Sequence, residues 1–345
     1  MQYRVEVTVG IAFLLSLSVA AQKVKVIQNR EHESFQVTIE GRPFTQFLFS
    51  DTLPKPVLYP IHASNGRAIT RGFPITPIEG EPTDHPHHLG LWLNYGDVNG
   101  LDFWNNSSAI PVEKRGGYGT VRMEKLLMTR DGETGGLEYE AYWVGPDGRR
   151  YLHERTEFTF GEEGGAWYID RTTMLKAEQP VLFQDNKEGM LGLRVCHELQ
   201  IPAKETKKYT DANGIVTTVT AVTDMVANGN YLASNGKQGD EVWSSKASWC
   251  MMYGKVGADS VSILIVDHPS NVGYPTHWHA RGYGLFAANP LGVKVFTNGK
   301  QTLNHSLKQG ESMTVRYRVV VAAGPRVLDA GRIQAWEESF AKGRG

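Results

Sequence analysis

The stretch Leu137–Phe160, LEYEAYWVGPDGRRYLHERTEFTF, decides the fold. Leu137, Tyr139, Ala141 and Trp143 alternate with charged or polar residues, the period of two that turns one face of a strand to a core and the other to water. Asp147-Gly148 then supplies the positive φ of a tight reversal, so the two halves read as neighbouring antiparallel strands.

The same grammar recurs on both sides. FQVTIEGRPFTQFLF (35–49), YGTVRMEKLLMT (118–129), AWYIDRTTMLKA (166–177), VSILIVDHP (261–269), KVFTNGK (294–300) and SMTVRYRVVVAAG (312–324) are short, β-branched or aromatic, and bounded by turn formers. Asp131-Gly132 and Asn298-Gly299 read as further hairpin turns. The chain is therefore all-β, and so many strands without a repeated blade motif predict one large antiparallel β-sandwich. Only residues 327–342 carry apolar residues at helical spacing (Ile333, Trp336, Phe340), which predicts a short C-terminal helix.

Arg4 precedes the apolar run VGIAFLLSLSVAA (9–21), the pattern of a signal peptide cleaved after Ala21 and too short for a confident span. The expectation is a leader over 1–21, one β-sandwich domain over 22–345, a periplasmic or secreted location and no membrane span after leader removal. A net charge of −1 gives no reason to expect nucleic acid or an anionic membrane as partner. Cys196 and Cys250 would meet an oxidising compartment, but spacing leaves their pairing open.

Three clusters could carry chemistry. In PTDHPHHLGLW (82–92), Asp84, His85, His87 and His88 crowd together, followed by Trp92, Asn94, Asp97, Asp102 and Trp104. On an extended chain His85 and His87 would face one side and His88 the other. HWHARGY (277–283) repeats the His-x-His spacing at His277 and His279 and adds Arg281 and Tyr283. FQDNKEGMLGLRV (183–195) inserts Asp185, Lys187, Glu188 and Arg194 between apolar strands. Imidazole titrates near neutrality and offers a lone pair, so these histidines suit either proton transfer or metal ligation.

The motif order DHPHHLGLWLNYGDVNGLDFW, DNKEGMLGLRV, HPSNVGYPTHWHARGYGLFAANPLG and GESMTVRYRVVVAAG resembles the bacterial PmoA-like family, over roughly Phe44 to Gly324. That resemblance implies a supersandwich similar to galactose mutarotase-like proteins, in bacteria whose related genes often concern polysaccharide use. The methane-oxygenase label attached to the family does not suit this chain, because the subunit it alludes to is an integral membrane protein.

The leading expectation is a glycan-degrading enzyme, a glycoside hydrolase, lyase or epimerase using acid/base chemistry on a saccharide. Glu188, with His85, His87 or His277, exchanges the proton, and Asp185, Asp97 or Asp102 supplies a second carboxylate. Asp84, His88, Asn94, Asp97, Lys187, Arg194, Arg281 and Tyr283 bind or orient, while Trp92 or Trp278 stacks on a sugar ring. No cofactor is certain. A divalent metal on His85, His87, His277 and His279 makes a metal-dependent hydrolase or oxygenase the second reading, and a non-catalytic sugar-binding envelope protein the third.

Overall fold

The computed structural model describes residues 23–202, 206–210, 216–219, 226–324 and 328–343; the leader predicted over 1–21 lies outside them. In chain order the first strands are β1 (Val24–Asn29), β2 (Ser34–Ile39), β3 (Arg42–Leu48), β4 (Val57–Ile61) and β5 (Leu91–Leu93). Four long strands follow: β6 (Thr120–Arg130), β7 (Gly135–Val144), β8 (Arg150–Glu163) and β9 (Ala166–Ala177). After them come β10 (Val181–Phe183), β11 (Leu191–Arg194), β12 (Lys207–Thr210), β13 (Val216–Val219), β14 (Asn230–Ala233), β15 (Trp249–Val256) and β16 (Asp259–Asp267). The last are β17 (His277–Ala280), β18 (Leu285–Asn289), helix α1 (Val293–Phe296), β19 (His305–Leu307), β20 (Ser312–Ala323) and helix α2 (Ala330–Ala341).

Two eight-stranded antiparallel sheets face each other, which is the expected sandwich. The first runs β1-β2-β3-β4-β5-β11-β18-β17 and the second β14-β15-β16-β20-β9-β8-β7-β6. The opening stretch forms β7 and β8, joined at Asp147-Gly148 with Gly148 at φ 81°. Leu137, Tyr139, Ala141 and Trp143 point inward as their alternation requires, and meet the first sheet through contacts such as Phe47 on Tyr139 at 4.8 Å between rings. Burying each large apolar side chain contributes about 1.5–3 kcal/mol, so a core of this breadth can hold polar groups on the outer face of the first sheet.

The outer face of the second sheet is closed by α2. Asp329 caps it, its carboxylate accepting the Arg332 N–H at 2.9 Å, and Ile333, Trp336 and Phe340 pack on Tyr168, Leu264 and Val320. Among the described residues no helix is long and apolar enough to cross a membrane. Two local expectations fail. Residues 294–300 were expected to form a strand, but Val293–Phe296 closes one helical turn, and Asn298-Gly299 ends that turn instead of making a hairpin. Cys196 and Cys250 are both buried free thiols and are not bridged.

Candidate functional site

The centre of the first sheet positions the chemistry. On β5 and β11, Leu91, Leu93, Leu191 and Leu193 enter the core, so Trp92, Gly192 and Arg194 face outward. On β17 and β18, Trp278, Ala280, Phe286 and Ala288 are inward and His277, His279 and Ala287 outward. Trp92, Gly192, Ala287 and His279 are thus one register row across four strands. Gly192 is required there: a Cβ would lie 2.5 Å from the Trp92 indole and 2.7 Å from that of Trp104, which settle over it 4.9 Å apart.

Above this floor the histidine loop is folded as a turn, not an extended strand. His85 takes a left-handed backbone at φ 45°, a conformation that costs about 1 kcal/mol or more in a residue other than glycine. Arg71 offsets it. Its buried guanidinium donates to the carbonyls of Phe73, Asp84 and His85 at 3.1, 2.6 and 3.0 Å. The turn corrects the expected divergence of His88, whose ring lies parallel to His85 at 4.8 Å; Tyr283 stacks on His85 at 4.7 Å and Trp92 on His88 at 5.3 Å.

Asp84 is the electrostatic hub. Arg194 Nη2 donates to both its carboxylate oxygens at 2.8 Å, Arg71 Nη1 donates at 3.2 Å, and His85 Nδ1 donates to Oδ2. Burial raises the Asp84 pKa, but Arg194, the His85 hydrogen bond and Arg71 outweigh it and hold the carboxyl well below the usual range. Because a carboxylate only accepts, His85 carries its proton on Nδ1 and its basic nitrogen is Nε2. Burial, only partly opposed by Asp84, lowers the His85 pKa, so the ring is neutral at neutral pH. His88 has the opposite tautomer, since Arg194 Nη1 donates to its Nδ1 at 3.1 Å and leaves the proton on Nε2.

Glu188 completes the group from the loop before β11. Its Cβ packs where a side chain on Gly96 would collide at 2.7 Å, and Gly96 N–H donates to its carbonyl at 2.7 Å. Lys187 Nζ donates to Oε1, and Oε2 lies 3.7 Å from the His279 ring. Burial raises the Glu188 pKa, yet Lys187, His279 and His85 together bring it below the usual value. His279 donates from Nδ1 to the Lys187 carbonyl at 3.0 Å, and burial drives its pKa down to about 3. An ionised carboxylate and neutral imidazoles therefore share one face. Such a set can accept a proton and stabilise the cation that results.

Several sequence candidates sit elsewhere. Trp278 is buried between the sheets with its Nε1 donating to the Ala247 carbonyl, so it has no face for a sugar. Trp92 is fully buried as well and serves as floor. The Asp185 carboxylate accepts the backbone N–H groups of Lys294 and Leu303 and fixes the α1 loop. Asp97 caps its own turn by accepting the Gly100 N–H at 2.9 Å. Asn94 is fully buried, its amide donating to the Phe103 carbonyl. His277 is held by the Ser244 carbonyl at 2.9 Å and stacked on Phe296. Arg281, by contrast, stays beside the site, packed over Trp243 and over the Tyr283 that stacks on His85.

The four-histidine metal site is not assembled. Among the described residues no three His, Cys, Asp or Glu side chains converge as a ligand set; His277 instead donates to the Ser244 carbonyl and His279 to that of Lys187. Two residues of the site carried no signal in the sequence. Arg71 and Lys55 are isolated cations in Gly- or Pro-containing segments that read as solvated loops, yet both are 1% exposed. Asp102, the third carboxylate here, is pushed up to about 6 by burial despite hydrogen bonds from Asn105 and the Trp104 N–H.

Among solved structures, the chain is similar to the GH36 α-galactosidase AgaB from Geobacillus stearothermophilus, at 11% identity and a TM-score of 0.41, covering 88% of this chain and 41% of that one. AgaA from the same organism gives 13% identity, a TM-score of 0.39 and coverage of 89% and 41%. The galactosidase domain of the α-galactosidase-sucrose kinase AgaSK gives 10%, 0.39, and 87% and 42%. The chain thus spans about two fifths of the length of these proteins. No curated protein matches it. The PmoA-like resemblance drawn from the motifs is not what the family comparison returns. That comparison matches residues 34–337 to a family of unknown function, DUF6807, and the chain belongs to this family.

Proposed function

We propose that the chain converts a saccharide by proton transfer through His85, on the outer face of the first sheet. The observation that carries this reading is the Asp84–His85 pair. A neutral imidazole with its Nδ1 proton fixed on a buried carboxylate, itself held by Arg194 and Arg71, is a base ready to accept at Nε2. As His85 takes a proton from a sugar carbon or hydroxyl, Asp84 stabilises the imidazolium, which then returns the proton to the leaving or ring oxygen. The ionised Glu188 lies close enough to feel His85 and is placed to bind hydroxyls or stabilise developing positive charge. Tyr283, Lys187 and Arg281 surround these groups with ring faces and donors suited to a polyhydroxyl ligand. The apolar leader supports a periplasmic or secreted setting for a glycan-degrading role.

The test is product formation over a broad panel of oligosaccharides, read by mass spectrometry. Wild-type protein should turn over at least one class, and His85→Gln and Glu188→Gln should each lose about 10²–10⁴ in rate while keeping the native near-UV circular dichroism. Saturable binding with no product across the panel would instead establish a sugar-binding protein without catalysis.

A further inference from the structure

Every cation near Asp84 and Glu188 for which the structure gives an ion pair is spent on one of them: Arg71 and Arg194 on Asp84, Lys187 on Glu188. Lys55 is different. It is 1% exposed just before β4, its Nζ 5.2 Å from the centre of the Trp92 ring. Its hydrogen bond goes to the Trp104 carbonyl at 2.9 Å, and among the described residues it makes no ion pair. The acid it feels, Asp102, is occupied by the Asn105 N–H and amide at 2.9 and 2.7 Å.

The donor surplus is wider than one ammonium. The indole N–H groups of Trp92 and Trp104 are buried and have no acceptor among the described residues. Leaving a buried charge uncompensated costs several kcal/mol, and an unpaired buried donor about 1–3 kcal/mol. His87, 7% exposed and electrostatically coupled to Lys55, has no hydrogen-bond partner among the described residues, so its ring can turn without breaking a bond. Two buried indole donors thus lack an acceptor among the described residues, beside an ammonium held by one carbonyl and one ring face.

We infer that Lys55, with the indole N–H groups of Trp92 and Trp104, holds an anionic substituent of the saccharide, a uronate carboxylate or a sulfate ester. This rests on the outer face of the first sheet being the saccharide site and adds the substrate class. Burial lowers the Lys55 ammonium to about 7, and a bound anion would reverse that shift.

Calorimetric titration with an oligouronate, its carboxyl-reduced neutral form and a sulfated oligosaccharide tests the assignment. Wild-type protein should bind one acidic ligand at least about tenfold more tightly than the neutral one, and the tighter arm identifies carboxylate or sulfate. Lys55→Met, which keeps the apolar stem, should erase that preference, bringing the acidic and neutral ligands to within about twofold of each other. His85→Gln, which removes the proposed base, should retain it, so failure of the catalytic reading and failure of this one are distinguishable. Equal affinity for acidic and neutral ligands, no binding of either acidic ligand, or a preference that survives in Lys55→Met overturns the assignment. Should Lys55→Met not fold, NMR titration of the Lys55 side chain in wild-type protein decides: its pKa rises on adding the acidic ligand if the inference holds, and stays unchanged if it does not.

Discussion

At the scale of single residues, the site is built on buried groups whose charge states differ from those in water, and the signs of those differences are testable. His85, His87, His88 and His279 all have lowered pKa values with burial as the largest cause. Unfolded histidines bind protons at about 6.5. Below that pH the unfolded chain holds more protons than the folded one, so stability falls as pH drops from about 6.5 toward the lowered folded values. Asp84 has the opposite arrangement. Its folded pKa is depressed, so its contribution is present above about 3.9 and is lost only in stronger acid. Urea midpoints should therefore decline between pH 7 and 5, and His87→Gln should flatten the decline by about one proton's worth of slope. A decline as steep in His87→Gln as in wild type would show that the His87 imidazole titrates normally.

At the scale of elements, the outer face depends on small residues beneath large ones. Gly192→Ala should cost about 1–3 kcal/mol, because its Cβ must displace the paired indoles of Trp92 and Trp104 from β11. Denaturant midpoints with tryptophan fluorescence check this: a loss of stability with a shifted emission is expected, and neither change would mean that the indoles are not packed on Gly192. The strands themselves were legible because alternation and Asp-Gly turns both pointed to hairpins, as at β7 and β8. The turn at 82–88 was not. Its left-handed residue is His85 where glycine would have signalled it, and its conformation is imposed by Arg71 from a distant segment. Likewise α1 carries a β-like composition, but its turn is set by Asp185 accepting the Lys294 N–H.

At the scale of the whole molecule, the sandwich separates duties between its surfaces. The inner faces share one apolar core, and α2 seals the outer face of the second sheet, with Arg318 clamped by Asp170 and seated among Tyr168, Trp336 and Phe340. The outer face of the first sheet gathers Asp84, His85, His88, Glu188, Arg194 and His279. Sequence proximity suggested three clusters; topology brings parts of all three to adjacent strands and leaves Asp97, Asp185 and Trp278 outside. The shared face could not be read from spacing, because β5, β11 and the β17–β18 hairpin are neighbours only through long crossovers. The central claim is that this face receives the saccharide. Imidazole ¹⁵N NMR of the wild-type protein, before and after adding a saccharide that it binds, tests it most directly. The account predicts that His85 starts as the neutral Nδ1–H tautomer and that its Nε2 resonance moves, together with that of His279. Saccharide binding that leaves both rings unmoved would contradict it.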